Sequence, residues 1–283
     1  VREHVRERAL LDLQIRLRGD DVAEWPLIGE RARGLGVIFV DRLTAHSGVR
    51  ALLEARRALA AGVNGLVFAY DPLTATGDPA MTPDKGDAVL DPLRTTVALP
   101  NLTGPAGGVQ SLAGTYVAVV DHDAPAVAVP TAPAGTDFSY HARTNDFAAV
   151  NAYYHANNVF DVVESLGFNL AAYFDGTAFP VRVDHRAKYS TGDGVEVAAY
   201  CSGNLHADGI GPVGYCLTDL SDTAHPLGRA VDKWVHWHEL GGHGILWDHL
   251  HAGNFGFAHS AGDALALERH RNSGRYTEDP STA

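Results

Sequence analysis

Apolar residues recur along this chain with two alternating periods, and the switches between them mark out its elements. Leu10, Leu13 and Leu17 fall on one stripe of a helix predicted over residues 1–18, which Gly19 and Asp20 stop. The run Val37-Ile38-Phe39-Val40, within residues 34–43, predicts a buried strand, and residues 47–61 return to a helical pattern that ends at Gly62. A loop rich in Pro, Gly and Asp follows Asp71-Pro72 and runs to about residue 88. Thr95–Leu99 and Tyr116–Val120 have strand patterns. Pro125, Pro130 and Pro133 make residues 124–136 an extended connection and the expected main boundary.

Beyond it, Asp146 is expected to cap a helix that runs through Leu166, buries Phe147, Val150, Tyr154, Val162 and Leu166, and ends at Gly167. Residues 179–184 and 193–200 predict strands, 201–229 a turn-rich stretch, and a further helix begins near Ala230. The sum is an α+β chain in three parts. Residues 1–66 form an N-terminal α/β segment, either a propeptide remnant or a small module. Residues 67–135 form a β-rich region with its Pro-rich connection, and residues 136–283 hold the remaining helices and strands. No internal repeat is present.

Composition narrows the class. Hydrophobic residues are 46% and charged residues 20% of the 283, ordinary for a globular protein, and no apolar run is long enough for a membrane helix. The net charge is -12. Residues 1–66 are near +2, so the acidity lies in the remainder, which argues against nucleic acid as a partner. Calcium is a further cation that so acidic a chain invites, although no EF-hand spacing appears. Cys201 and Cys216 are the two cysteines. Their Gly-rich separation favours a disulfide over two buried thiols, and secretion is the expected location. The Arg- and Glu-rich start does not resemble a secretory signal, so a leader already removed or a piece of a longer product is expected.

The chemistry concentrates late. Seven of the fifteen histidines fall between His236 and His270. Neutral imidazole is the commonest zinc ligand, and three protein ligands with one open position make a hydrolytic site. The alternative is a histidine-rich surface with adventitious metal affinity. His238-Glu239-Leu240-Gly241-Gly242-His243 is close to H-E-x-x-H, in which two His at i and i+4 share a helix face and the Glu is the base. Here the spacing is five, about 140° apart on a regular helix. A π-type bulge absorbs the extra residue, and Gly241-Gly242 is where that distortion is easiest. His236 and His243, seven apart, are the competing pair on an undistorted helix. A third ligand is expected from His259, with Asp263 four residues on as the carboxylate that fixes a ligand's tautomer. Asp263 or Glu268 as the direct ligand is the alternative. Trp234, Trp237 and Trp247 are expected in the core, and His225 and Asp248 as solvated or capping residues.

The helix at 146–166, the turn at 219–222, the His-Glu helix and the following helix with its polar-x3-Asp pattern resemble, in order, the catalytic domain of gluzincin metallopeptidases of the thermolysin and fungalysin kind. His238-Glu-Leu-Gly-Gly-His243-Gly244 also resembles the H-E-x-x-G-H motif of the dipeptidyl peptidase III family. The resemblance spans residues 67–270. It implies a zincin-like catalytic domain with a mixed or antiparallel sheet, Zn²⁺ on His238, His243 and His259, Glu239 as general base and a peptide or protein substrate. The strand at Val195–Tyr200 would be the edge along which that substrate lies, or a plain structural strand. The third ligand departs from the family's Glu. The family's helical C-terminal domain, which supplies an oxyanion-stabilising His or Tyr, has no counterpart in the twenty residues after Asp263. A missing C-terminal domain or a second chain is therefore expected, with His249, His251, His270 or Tyr276 as substitutes. A catalytically silent homologue, binding zinc for structure or for a partner, is the alternative function.

Overall fold

The computed structural model describes residues 62–81, 85–188, 198–216, 228–252 and 257–271. The predicted helices at 1–18 and 47–61, the strand at 34–43, and residues 193–197 and 217–227 lie outside the described residues. What is described is a mixed arrangement of small sheets and helices, compatible with the α+β expectation. Among the described residues no helix is long and apolar enough to cross a membrane.

The first strands form two antiparallel pairs. Strands β1 (Asn64–Val67) and β2 (Thr95–Ala98) join with Asn64 opposite Ala98. Strands β3 (Val109–Ser111) and β5 (Thr131–Pro133) join with Gln110 opposite Ala132. Between β1 and β2 lie two short helices, α1 (Pro72–Thr76) and α2 (Asp87–Leu90). The first is capped by Asp71, whose carboxylate accepts from the Thr74 amide, and closed by Gly77 at φ 67°.

The larger sheet has the order β4-β6-β8-β7. Strands β4 (Val117–Val119), β6 (Val181–Ala187) and β8 (Ile210–Cys216) run parallel, while β7 (Ala199–Gly203) is an antiparallel edge. Strand β8 occupies part of the stretch expected to be turns. Its sequence, Ile-Gly-Pro-Val-Gly-Tyr-Cys, carries the residues that normally interrupt strands. The register also overturns the expected disulfide. Cys201 lies opposite Val213, and Cys216 pairs at Ala198, three positions along and on the other face of the sheet. Both cysteines are free thiols.

Helix α3 (Asn145–Ser165) links β5 to the rest and packs on the sheet. Thr144, not Asp146, is its cap, and the hydroxyl accepts from the Phe147 amide at 3.1 Å. Fourteen of its 21 residues are buried, so the helix is central and has no single apolar stripe. Tyr153, Val159, Phe160 and Val163 join Phe147 and Val150 inside, whereas Tyr154 and Val162 are half-buried and Leu166 is exposed. Asn151 and His155, one turn apart, hold the Phe68 backbone: Asn151 Oδ1 accepts its N–H at 3.0 Å, and His155 Nε2 meets its carbonyl at 2.9 Å. A short helix, α4 (Leu170–Tyr173), follows. One core runs without interruption from Val63 and Phe68 through Phe138 and Phe147 to Leu240, across residue 135.

Three buried histidines, His155, His185 and His236, make stability depend on pH. His155 and His185 are buried, and neither ring nitrogen of His185 has a hydrogen-bond partner among the described residues. Burial holds His155 well below the usual 6.5 and brings His185 down to about 4. Below pH 6.5 the unfolded chain therefore takes up protons that the folded chain does not, and stability falls as pH drops towards 4. His185 alone accounts for about 3 kcal/mol over that window, at about 1.4 kcal/mol per pH unit. Urea unfolding at pH 7.5, 5.5 and 4.5 is expected to show this loss, and His185→Leu to reduce the slope. Equal slopes in the two proteins would refute the assignment.

Candidate metal centre

The site is built on one helical rod of changing pitch. Asp232 starts it, accepting from the Trp234 amide at 2.9 Å, and α5 (Lys233–His236) makes the first turn. Trp237–Gly244 is then π-helical, and α6 (Ile245–Leu250) resumes the ordinary pitch. The π segment coincides with the His238–His243 spacing. At roughly 4.4 residues per turn, five residues bring the two positions back to within about 50° of each other. Their ring centroids are 5.1 Å apart.

A second helix, α7 (Ala258–Arg271), crosses this rod at the glycines. A Cβ on Gly242 would lie 2.5 Å from the Gly262 Cα, and one on Gly262 would lie 2.8 Å from the His238 carbonyl oxygen and 2.9 Å from its Nδ1. The two backbones touch, and His259 and Asp263 flank the point of contact. His259 Nδ1 stands 3.2 Å from His238 Nε2 and 3.3 Å from His243 Nε2. His238 Nδ1 meets Asp263 Oδ1 at 2.8 Å. Since a carboxylate only accepts, this bond puts the proton on Nδ1 and turns the Nε2 lone pair towards the other rings. Asp263 is largely exposed, so its contribution lies in ring orientation, not in ion-pair stability.

Three ring nitrogens thus converge, within 4.8 Å of one another, and they are the only group of three or more such ligands among the described residues. The set fits a borderline cation. Donors about 2.05 Å from a tetrahedral zinc stand about 3.3 Å apart, close to the two spacings above. Imidazoles suit zinc and its transition-metal neighbours, whereas calcium needs oxygens. No acidic cluster among the described residues answers the calcium expectation.

Glu239 points elsewhere on the rod. It is buried, and its carboxylate accepts the backbone N–H of Cys201 on β7. Burial nevertheless pushes its carboxyl up to about 7. Trp247, two turns on, donates its indole N–H to the Cys201 carbonyl at 3.0 Å, and its ring fills the space that a side chain on Gly203 would need. Cys216 N–H donates to the Ala198 carbonyl, so ladder parity turns the N–H and C=O of Ala199 and Cys201 away from β8. The helical rod takes both groups of Cys201. Those of Ala199 face a cavity of about 440 Å³ lined by Trp234, Val235, His238, Glu239, His259 and Asp263, among others.

Several expected residues lie elsewhere. His236 is buried, directs Nε2 to the Ala230 carbonyl at 2.9 Å and stacks on Tyr215, so it does not pair with His243. His249 packs on Tyr173 with centroids 4.5 Å apart, and His251 is exposed. Neither lines the cavity. Asp248 is no capping residue: it is buried and accepts from Thr177 Oγ1 at 2.5 Å. Trp237 lies in the core, whereas Trp234 lines the cavity. His225, Tyr276 and the side chains of Glu268 and His270 lie outside the described residues. The clamp on Cys201 was not foreseen, and nothing in the spacing of Trp247 could have revealed it.

The chain has no match among family models, curated proteins or solved structures.

The glycine crossing makes a direct prediction. Gly262→Ala must displace the His238 ring, so zinc affinity is expected to fall at least about tenfold, with helix content unchanged by circular dichroism. Asp263→Asn is expected to cost about 10- to 100-fold in affinity. Zinc competition titrations read both. Unaltered affinity in Gly262→Ala would show that the two helices can part without disturbing the ligands.

Proposed function

We propose that the chain is a zinc-dependent peptidase with a zincin-like catalytic domain, in which His238, His243 and His259 hold the ion and Glu239 is the general base. One observation carries this reading: three imidazole nitrogens stand at metal-ligand spacing, and two of their rings, His238 and His259, line one cavity with a buried carboxylate, next to the strand that is the edge of its sheet among the described residues. Bound zinc supplies Lewis acidity that polarises an oxygen ligand. The chain supplies the rest. Glu239, with a carboxyl near neutrality, takes a proton from the attacking water and returns it to the leaving nitrogen. Asp263 keeps the His238 ring aimed, and the N–H and C=O of Ala199, which point away from β8 and have no partner among the described residues, offer a backbone ladder to an extended peptide.

The second reading, a catalytically silent homologue that holds zinc for structure or for a partner, has one observation in its favour. No Tyr, Arg or Lys lines the cavity to hold an oxyanion, among the described residues.

Glu239→Gln separates the two. The peptidase reading expects the variant to keep one zinc per chain and lose about 10²- to 10⁴-fold in cleavage of a peptide library. Wild-type protein that is loaded with zinc and cleaves nothing in the library favours the silent homologue. Unchanged zinc stoichiometry in both His238→Ala and His243→Ala removes the site altogether.

A further inference from the structure

We propose that Tyr200 is a positioning residue, whose hydroxyl fixes the edge strand β7 and thereby the outward-facing peptide groups of Ala199 beside Glu239. The consequence for catalysis rests on the peptidase reading, and the consequence for the strand rests on geometry alone.

Strand β7 is five residues long, pairs with β8 on one side, and loses register between Cys201 and Gly203. Such an edge is a weak place in a fold, because few bonds must break to open it. Yet it is the strand that carries Ala199. Two sets of bonds hold it. Glu239 and Trp247 grip the Cys201 peptide groups from the helical rod. Tyr200, the neighbouring residue, acts across the sheet. Its ring lies against Gly214 of β8, where a Cβ would stand 2.4 Å from the ring Cε1 and 2.8 Å from the Ala187 Cβ. Glycine at 214 is therefore what lets the ring pass.

Over the face of β8 the hydroxyl meets the segment that follows β4. It donates to Asp123 Oδ2, and His122 Nε2 lies 3.0 Å from it. With the hydroxyl proton directed at Asp123, the hydroxyl oxygen accepts from His122 Nε2. Burial and the Asp123 carboxylate push the Tyr200 hydroxyl well above its usual range, so it stays a donor at neutral pH. The acceptor segment is itself fixed. The amides of His122 and Asp123 each donate to Asp184 Oδ2 at 2.9 Å, and Asp184 Oδ1 accepts the Arg186 amide at 2.9 Å. Tyr200 thus ties β7 to the segment that follows β4 through a charged acceptor, the stronger kind of hydrogen bond.

Tyr200→Phe removes the hydroxyl and keeps the ring, and Asp123→Asn keeps an acceptor without the charge. The experiment combines hydrogen exchange by mass spectrometry, zinc content and steady-state kinetics on a fluorogenic peptide drawn from those the wild type cleaves. Tyr200→Phe is expected to speed exchange in residues 198–203 about tenfold, the loss of one bond to a charged group, with α3 protection and zinc content unchanged. KM rises about tenfold and kcat stays within about twofold, because the strand meets substrate and not the reacting proton. Asp123→Asn moves both in the same direction by less. A general loss of stability would instead speed exchange in α3 as well, and that result overturns the proposal. So does unchanged exchange at 198–203 in Tyr200→Phe. If the wild type cleaves no peptide, faster exchange confined to 198–203 upholds the strand anchor while the peptidase reading alone fails.

Discussion

The contact of Gly242 with Gly262 is the constraint on which the site depends. Helices with ordinary side chains at their crossing pack with axes about 8–10 Å apart. Here neither residue has a Cβ, and any added one would meet backbone. That approach brings His259 Nδ1 to within 3.3 Å of rings on the other helix and lets Asp263 reach His238. The spacing of the three histidines is thus fixed by main chain, which has few ways to relax. A side chain at either position would widen the crossing and open all of these spacings together.

The π segment solves a second problem on the same rod. Its inserted residue lets His238 and His243 face α7 while Glu239 and Trp247 face β7. Ordinary pitch over five residues would give up one of these faces. Two glycines in a helix interior cost about 1 kcal/mol each relative to Ala. The burial of Trp237 and Leu240 in the main core offsets that locally, and the Trp237 ring sits 2.8 Å from where a Gly241 Cβ would be. Gly241 accordingly makes room for a core indole, and Gly242 for a neighbouring helix.

The convergence of the three histidines was more legible than the fold. The histidines, the five-residue spacing of His238 and His243 and the His259–Asp263 step are local patterns, and local patterns survive in sequence. The stretch after β7 is different. Gly211, Pro212 and Gly214 read as turn residues, but their reasons are tertiary: a Cβ at 211 would stand 2.2 Å from the Gly203 carbonyl oxygen, and Gly214 lies under the Tyr200 ring. Helix α3 hid its inner face for the opposite cause. Burial on nearly every side leaves Asn151, His155, Asn157 and Asp161 inside, where a stripe rule expects apolar residues. The cysteine pair failed because separation along the chain carries no information about which face of a sheet each residue occupies.

The charge of the site follows from the same geometry. Three neutral imidazoles would leave the full charge of a dication held there uncompensated, whereas a carboxylate ligand would halve it. Two acids stand close by in separate roles, Asp263 bonded to a ligand ring and Glu239 bonded to Cys201 N–H. A neighbouring dication favours the ionised form of a buried carboxylate, opposing the desolvation that raises Glu239. Occupancy of the histidines and the protonation of Glu239 are therefore linked. With no ion present, burial favours a carboxyl that keeps its proton. With the ion bound, the same side chain is driven towards the carboxylate that a base must be.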